Sequence, residues 1–443
     1  MVTSEACQYR NVTTTPLDHA RQAFADRHPQ SRLQHEMART VLPGGHTRTV
    51  LTHLPFPLTF AAGEGAVLTD ADGQQYIDLL GDYTAGLLGH SDRRVLDAVA
   101  SALSVLASAG GIHHHEVALA QLMCSRFGLD RVRFTNSGTE ANLMAITTAM
   151  QATGRTTLLA FLGGYHGGVL YFVSGPAAWN APYNFVVAPY NDLAGTTALI
   201  HEHAADLAAV IIEPMLGSGG CVPADPQFLQ GVFAAARSVG AVCIADEVMT
   251  SRHGRSGLTA LLGAQADITT YGKYIGGGFS FGAFGGTAAL LDQFDTTPGT
   301  GRERIISHAG TFNNNVATMT AGTVVLGEVF TADAAAAHTS RGDEFRAQVA
   351  DVLARSPLHV CVSGYGSMMS LHATAVQPTN VTEAYSRDHA LQELIYFGLL
   401  QRGVYTAFRG MMNVGLAHTD DQLSAALDAL IDTLTELAEL AED

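Results

Sequence analysis

Apolar and polar positions recur with helical and strand periods along most of the chain. Helical spacing predicts one helix over residues 16–42. Its expected buried face carries Ala20, Phe24, Leu33, Met37 and Val41. Strand-like runs at 66–69 and 75–80 flank the turn 70–73 and predict a β-hairpin. From about residue 92 to 325 predicted strands and helices alternate, which is typical of an α/β fold with a mainly parallel sheet covered by helices.

The alternating region gives way to a different pattern near residue 325. Its predicted strands span residues 132–135, 157–162, 207–213, 241–248 and 267–271, and a helix at 141–152 follows the first. Beyond it, helices are predicted at 335–353, 387–401 and 420–440, with short strands at 360–362 and 368–372. We expect a large domain over 76–325, a smaller α+β domain over 326–443, and an N-terminal segment, 1–75, that packs with the small domain.

The composition indicates a compact protein with few charges. The 443 residues are 47% apolar and 15% charged, which is typical of a protein with a large buried core. A formal net charge of -17 argues against nucleic acid and anionic membranes as partners, because both attract clustered cations. With no signal-peptide or membrane-spanning run, we expect a cytoplasmic protein. Reduced thiols are expected at Cys7, Cys124, Cys221, Cys243 and Cys361.

Lys273 is the only lysine in the sequence, and the rest of the 24 Lys and Arg residues are arginines. A lysine amine can lose its proton, attack a carbonyl and form a Schiff base, but a guanidinium cannot. A genome that favours arginine would also leave a lone surface lysine by chance. Lys273 follows a predicted strand and precedes the glycines 276–278, which would let a flat ligand approach the backbone. This context favours a lysine used in covalent catalysis.

Further polar residues follow the predicted strands. In an open α/β sheet, ligands bind outside the carboxyl ends of the strands, where Tyr165, Glu213, Asp246 and Lys273 are expected. Tyr165 lies among glycines and would stack on a planar ligand. The alternative for Asp246 and Glu247 is a purely structural role, in which each buried carboxylate has a cationic or hydrogen-bond partner within the fold.

A candidate anion site follows the strand at 132–135. The backbone N–H groups of Ser137, Gly138 and Thr139 would point outward from a helix N-terminus and could bind a phosphate. Ser and Thr are also ordinary helix caps, which is the simpler alternative. Arg48 is a second candidate anion binder, or else a solvated loop arginine. A phosphate site, a stacking aromatic, a carboxylate and a Schiff-base lysine together indicate pyridoxal 5'-phosphate (PLP) as the cofactor.

Several segments resemble the class III aminotransferases, which are PLP-dependent enzymes of fold type I. The similar segments are residues 134–142, 164–167, 244–248, 271–278 and 308–315. The resemblance covers about residues 43–409 and extends to the branch that contains β-phenylalanine aminotransferases and glutamate-1-semialdehyde aminomutase. It implies a mainly parallel seven-stranded large-domain sheet and amino transfer from a β-amino acid to a 2-oxo acid such as 2-oxoglutarate or pyruvate.

The resemblance also implies roles for individual residues. Lys273 would form the Schiff base and move the substrate proton, and Asp246 would pair with the ring nitrogen of PLP. The cofactor-binding residues would be Ser137, Gly138, Thr139, Tyr165, His166, Glu213, Asp246, Val248, Lys273 and Thr311. Thr311 would reach the phosphate of a partner subunit, so a homodimer with shared active sites is expected. Arg48 and Arg409 would bind the carboxylates of the two substrates, and which arginine binds which carboxylate is left open.

Rival readings rest on weaker patterns. Residues 278–282 match a nucleophile elbow around Ser280, but a poor helix start follows them. Tyr274 stands where a Walker motif needs Ser or Thr. No metal is expected, because the consecutive His113, His114 and His115 cannot all face one ion. Met249 replaces a glutamine common in the family, and loop 107–116 differs from both named enzymes, so the substrate is open. Intramolecular transfer by an aminomutase remains the alternative.

Overall fold

The computed structural model describes residues 15–298 and 305–442. Residues 1–14, which include Cys7, lie outside the described residues. The strands are β1 Phe60–Glu64, β2 Val67–Asp70, β3 Gln75–Asp78, β4 Arg131–Thr135, β5 Thr157–Phe161, β6 Asn184–Ala188, β7 Leu207–Ile212, β8 Met215–Leu216, β9 Val222–Pro223, β10 Val242–Asp246, β11 Ile268–Gly272, β12 Gly282–Gly286, β13 Cys361–Tyr365, β14 Met368–His372, β15 Val404–Tyr405 and β16 Met411–Asn413.

Helices cover the sheets and form the two ends of the described chain. They are α1 Pro16–Arg27, α2 Pro29–Arg39, α3 Arg93–Val105, α4 His114–Phe127, α5 Gly138–Thr153, α6 Leu193–Glu202, α7 Pro226–Ser238, α8 Leu258–Leu261, α9 Ala288–Leu291, α10 Val316–Val324, α11 Ala332–Arg355, α12 Val381–Tyr385, α13 His389–Gln401 and α14 Asp420–Glu442. Among the described residues, no helix is both long and apolar enough to span a membrane.

The main sheet has seven strands within the described residues, in the order β4-β12-β11-β10-β7-β5-β6. Only β12 runs antiparallel to its neighbours in this sheet. Every residue of β5, β7 and β10 is buried, because helices cover both faces and apolar side chains fill both interfaces. The expected α/β fold with a mainly parallel seven-stranded sheet is confirmed.

Two smaller sheets join distant parts of the sequence. In the sheet with the order β1-β2-β3-β15, β15 runs parallel to β3, and β13-β14-β16 forms an antiparallel sheet. Helix α1 packs near α13, where Arg21 donates two hydrogen bonds of 2.5 and 2.8 Å to the Glu393 carboxylate. These contacts support an N-terminal segment associated with the C-terminal part, while the division at 75 and 325 stays a prediction.

The single helix expected over residues 16–42 is wrong. Two helices, α1 and α2, meet at His28, whose φ of -126° is not helical. Pro29 explains the break, because it disfavours helical geometry in the residue before it and starts the next helix well. The expected apolar face is also not buried in α2 and beyond, where Leu33, Met37 and Val41 are 48%, 56% and 77% exposed.

Candidate active site

Lys273 lies directly after β11, at the carboxyl end of the main sheet. Its φ of +52° is left-handed, a conformation that costs a non-glycine residue about 1–2 kcal/mol and here turns the chain out of the strand. Burial lowers the pKa of the Lys273 amine to about 8. The negative charges of Asp82 and Asp246 act in the opposite direction, and Arg48 and Arg409 lower the pKa further. The amine therefore has an unprotonated fraction near neutral pH that an exposed lysine lacks.

Asp246 ends the neighbouring parallel strand β10 and is 4% exposed. Its Oδ2 accepts hydrogen bonds of 2.8 Å from Asn142 Nδ2 and from the His166 ring Nδ1. Its Oδ1 accepts from the Val248 backbone N–H at 3.1 Å. Thr270, which lies opposite Asp246 on β11, donates to Asn142 Oδ1 at 2.7 Å and so orients that amide. This set of donors gives the buried carboxylate the hydrogen-bond partners that it needs.

Glu247 points away from this cluster. Its carboxylate accepts from the backbone N–H groups of Leu258 and Thr259 and from the Thr250 hydroxyl. These bonds close the loop between β10 and α8. The paired acids thus have separate surroundings, and only Asp246 belongs to the site.

The N-terminus of α5 lies beside the same strand ends. Ser137 is its N-cap, and Ser137 Oγ accepts from the Glu140 N–H at 3.2 Å. The first N–H groups of a helix have no partner inside the helix, which leaves those of Gly138 and Thr139 open to an anion. A Cβ at Gly138 would lie 2.9 Å from Val248 Cγ2, and one at Gly272 would lie 2.9 Å from Val248 Cγ1. Glycine is needed at both positions because Val248 fills the space between them.

The loop after β5 completes the carboxyl-end cluster. Glu213 Oε1 accepts from the Tyr165 backbone N–H at 2.8 Å, and Glu213 Oε2 accepts from Gly217 N–H at 3.0 Å. Burial raises the pKa of Glu213 to about 7, while the nearby His166 acts to lower it. The Tyr165 side chain is 39% exposed, so one face is available to a ligand.

Arg48 and Arg409 meet at one aromatic ring. Each guanidinium carbon lies 5.3 Å from the centroid of the Tyr83 ring. Arg48 Nη1 also lies 2.5 Å from Asp82 Oδ1. Arg48, Asp82 and Tyr83 line a cavity of about 510 Å3, together with Leu51 and other residues. A larger cavity, of about 720 Å3, lies near Arg387 and contains none of the expected site residues.

The remaining expected residue, Thr311, is exposed. It lies in a loop whose Asn313 Oδ1 accepts from Asn136 Nδ2 at 2.9 Å, next to the α5 N-terminus. Phe312 beside it is 63% exposed. In the described residues no group of three or more His, Cys, Asp and Glu side chains could hold a metal. A nucleophile elbow requires a helix after the serine, but Ser280 precedes the strand β12.

Sequence reasoning missed Asn142, Thr270 and Asp82. Asn142 is 1% exposed on the buried face of α5, and a polar residue at an apolar position of a helix is the signal that could have found it. Asp82 carried no such signal, because it stands in an unremarkable polar loop.

Comparison with known proteins identifies the class. The family model for class III aminotransferases matches residues 51–434. The chain therefore belongs to the class III aminotransferases, with the fold of the fold type I transferases. The cofactor of these enzymes is PLP, and their substrates are an amino donor and an oxo acid acceptor.

Individual relatives cover nearly the whole chain. It is 44% identical to the β-phenylalanine transaminase of Variovorax paradoxus, over 92% of this chain and 94% of that protein. A crystal structure of a β-phenylalanine aminotransferase from Variovorax paradoxus has a TM-score of 0.93 at 42% identity, covering 96% of this chain and 98% of the other. The glutamate-1-semialdehyde 2,1-aminomutase of Deinococcus radiodurans is 34% identical, over 92% of this chain and 97% of its own.

The residues of the site fit PLP. A flat ring needs a surface without projecting side chains. Val248 lies against positions 138 and 272, where any Cβ would collide with it and where the chain has glycine. The ring nitrogen needs a carboxylate, and Asp246 has one that Asn142, His166 and the Val248 N–H hold in place. The phosphate needs uncommitted N–H groups, which the α5 N-terminus provides. The aldehyde needs an amine, and Lys273 has a lowered pKa.

Proposed function

We propose that this protein transfers the amino group of a β-amino acid, with an aromatic side chain like that of β-phenylalanine or an aliphatic one, to a 2-oxo acid such as 2-oxoglutarate or pyruvate. The observation that carries the proposal is the pair Arg48 and Arg409 on one ring, both close enough to influence Lys273. Two cations allow a carboxylate of the donor and a second carboxylate of the acceptor to be bound in turn. The similarity to β-phenylalanine transaminase supports the donor class.

We further propose that Lys273 is the catalytic base. When bound, PLP would supply an electron-withdrawing ring that acidifies the carbon carrying the amino group of the substrate. The Lys273 amine takes the proton from that carbon and returns it to the neighbouring position on the cofactor side. Its lowered pKa keeps part of the amine unprotonated and ready to accept the proton.

The other site residues hold the cofactor in this proposal. Asp246 binds the protonated ring nitrogen, and Asn142, His166 and Val248 N–H hold its carboxylate in position. The Val248 side chain would lie against one face of the ring, and Tyr165 would stack on the other. Glu213 fixes the Tyr165 loop through its bond to the Tyr165 N–H.

The phosphate would bind at Ser137, Gly138 and Thr139, where N–H groups and the helix dipole favour negative charge. We propose that the protein is a homodimer in which the exposed Thr311 reaches the phosphate in the partner subunit. The exposed Phe312 beside it supports the proposal that a partner subunit covers this surface. A cytoplasmic location is consistent with the free cysteines at positions 124, 221, 243 and 361.

Product formation tests the proposal. Purified protein is incubated with PLP, β-phenylalanine and 2-oxoglutarate, and glutamate is measured. We expect glutamate only when both substrates are present, and none with the Lys273→Ala variant. The alternative, intramolecular transfer, has support from the 34% identity to an aminomutase. Isomerisation of glutamate 1-semialdehyde without an added acceptor, with no glutamate from β-phenylalanine, would favour that alternative.

A further inference from the structure

The two arginines at the Tyr83 ring differ in their partners. Arg48 forms an ion pair with Asp82, and both side chains are about half exposed, at 48% and 56%. Arg409 pairs with no acidic side chain among the residues that the structure describes. Apart from the Tyr83 ring, its side chain approaches Met411, with Nη2 3.6 Å from Sδ, and its buried Nε has no hydrogen-bond partner. One cation is therefore neutralised before any substrate binds, and the other is not.

The Tyr83 ring keeps the two cations close but separate. Since each guanidinium carbon lies 5.3 Å from the ring centroid, the two carbons are at most twice that distance apart. A short dicarboxylic acid can place one carboxylate at each guanidinium for any separation up to this limit. The hydroxyl of Tyr83 donates to the Val50 carbonyl at 3.3 Å, which ties the ring to the segment that carries Arg48.

Asp82 is held in an unusual backbone conformation. Gly81, Asp82, Tyr83 and Thr84 have successive φ values of +54°, +44°, +52° and +79°. Three non-glycine residues in the left-handed region each cost about 1–3 kcal/mol, and such strain persists only where the surroundings impose it. Here Asp78 Oδ1 accepts from the Leu80 and Gly81 N–H groups at 3.0 Å each. The loop therefore holds the backbone of Asp82 beside Arg48, while the side chain of Asp82 stays 56% exposed.

From this asymmetry we propose that Asp82 is an internal carboxylate that occupies Arg48 and is displaced by the second carboxylate of a dicarboxylic substrate. The proposal rests on the proposed function, because it assigns Arg48 and Arg409 to substrate carboxylates. A monocarboxylic substrate binds at the free Arg409 and leaves the Arg48–Asp82 pair intact. A dicarboxylic substrate must also separate that pair, so Asp82 weakens dicarboxylic acids selectively. Asp82 is thus a specificity-determining residue that acts through Arg48.

The size of the effect follows from the exposure of the pair. An exposed ion pair contributes about 0.2–1 kcal/mol, and removing it as a competitor strengthens binding of the second carboxylate by up to about fivefold. Loss of the repulsion between Asp82 and the incoming carboxylate adds to this gain, since two unit charges 4 Å apart interact by about 1 kcal/mol in water. We expect a total gain of about eightfold to thirtyfold for a dicarboxylic acid.

The test compares two unreactive acids on the PLP-loaded protein. Dissociation constants of glutarate and butyrate are measured by calorimetry for the wild type and for Asp82→Asn. Asparagine is the best replacement, because it keeps the shape of aspartate and tolerates a left-handed backbone better than alanine. Glutarate should bind about eightfold to thirtyfold more tightly to the variant, with butyrate unchanged. Equal tightening of both acids, or no change for glutarate, overturns the proposal.

A second background shows whether Asp82 acts through Arg48. In Arg48→Gln, the further change Asp82→Asn should no longer improve glutarate binding, and persistence of the full gain there would contradict the proposal. In turnover, Asp82→Asn should lower the KM for 2-oxoglutarate and leave the KM for pyruvate as it was, which a loss of loop structure would not produce. The calorimetric comparison remains informative if β-phenylalanine proves not to be a substrate, so failure of the proposed function and failure of this inference are distinguishable.

Discussion

The lowered pKa of Lys273 predicts how the apoprotein combines with its cofactor as the pH changes. Only the neutral amine attacks an aldehyde, so the rate of attachment follows the neutral fraction of Lys273. Burial lowers its pKa from the ordinary 10.5 to about 8. The rate should therefore rise about tenfold for each pH unit below 8 and level off above that value.

The magnitude at neutral pH follows directly. With a pKa of about 8, about a tenth of the amine is neutral at pH 7. With the ordinary pKa of 10.5, about one part in 3000 would be neutral, so burial raises the reactive fraction about 300-fold. The negative charge of Asp82 acts against this by raising the pKa of Lys273. Asp82→Asn should therefore reach its plateau at a lower pH than the wild type.

The assay mixes apoprotein with PLP in a stopped-flow instrument and follows the absorption of the lysine-linked cofactor from pH 6 to 10.5. A simple alkylamine, measured over the same range, corrects for the titration of PLP itself and should show a rate that keeps rising to the end of the range. A protein rate that also rises without levelling off would refute the reasoning, since it would mean that Lys273 has an ordinary pKa.

Three further substitutions test separate parts of the site. Asp246→Asn should keep the fold but lower kcat about 100-fold or more, because the ring nitrogen loses its charged partner; near-normal turnover would contradict this. Glu247→Ala should lower the free energy of unfolding in urea by about 2–4 kcal/mol, since the buried N–H groups of Leu258 and Thr259 lose their acceptor, and an unchanged midpoint would count against that role. Arg409→Ala should raise the KM of β-phenylalanine at least about tenfold and spare 1-phenylethylamine, which has no carboxylate; equal losses for both would refute the clamp.

Patterns within one segment predicted much of the fold. An apolar run that ends in a polar residue identified the strands that carry Asp246 and Lys273, and β10 and β11 are indeed adjacent and parallel. Pro29 ends α1 and starts α2. The break was missed because the helical spacing of apolar residues continues across His28. Periodicity reports the spacing of apolar residues, not whether a neighbour covers them, so the exposure of Met37 was equally hidden.

Contacts between distant segments were beyond the reach of the sequence. Asn142 and Asp246 are 104 positions apart, and their hydrogen bond depends on how α5 packs against the sheet. Asp82 and Arg48 are 34 positions apart, and Tyr83 and Thr84 are residue types that rarely adopt a left-handed backbone. The residues proposed to touch the cofactor follow from local patterns, whereas the hydrogen bonds that orient them required the tertiary structure.

The most direct test of the central claim is the absorption spectrum of the purified, PLP-loaded protein during the two halves of the reaction. With β-phenylalanine alone, the band of the lysine-linked cofactor should disappear as the amino group is transferred, and 2-oxoglutarate added afterwards should restore it. The Lys273→Ala variant should lack this band from the start. A band that survives β-phenylalanine, or one that is unchanged in the variant, would contradict the account.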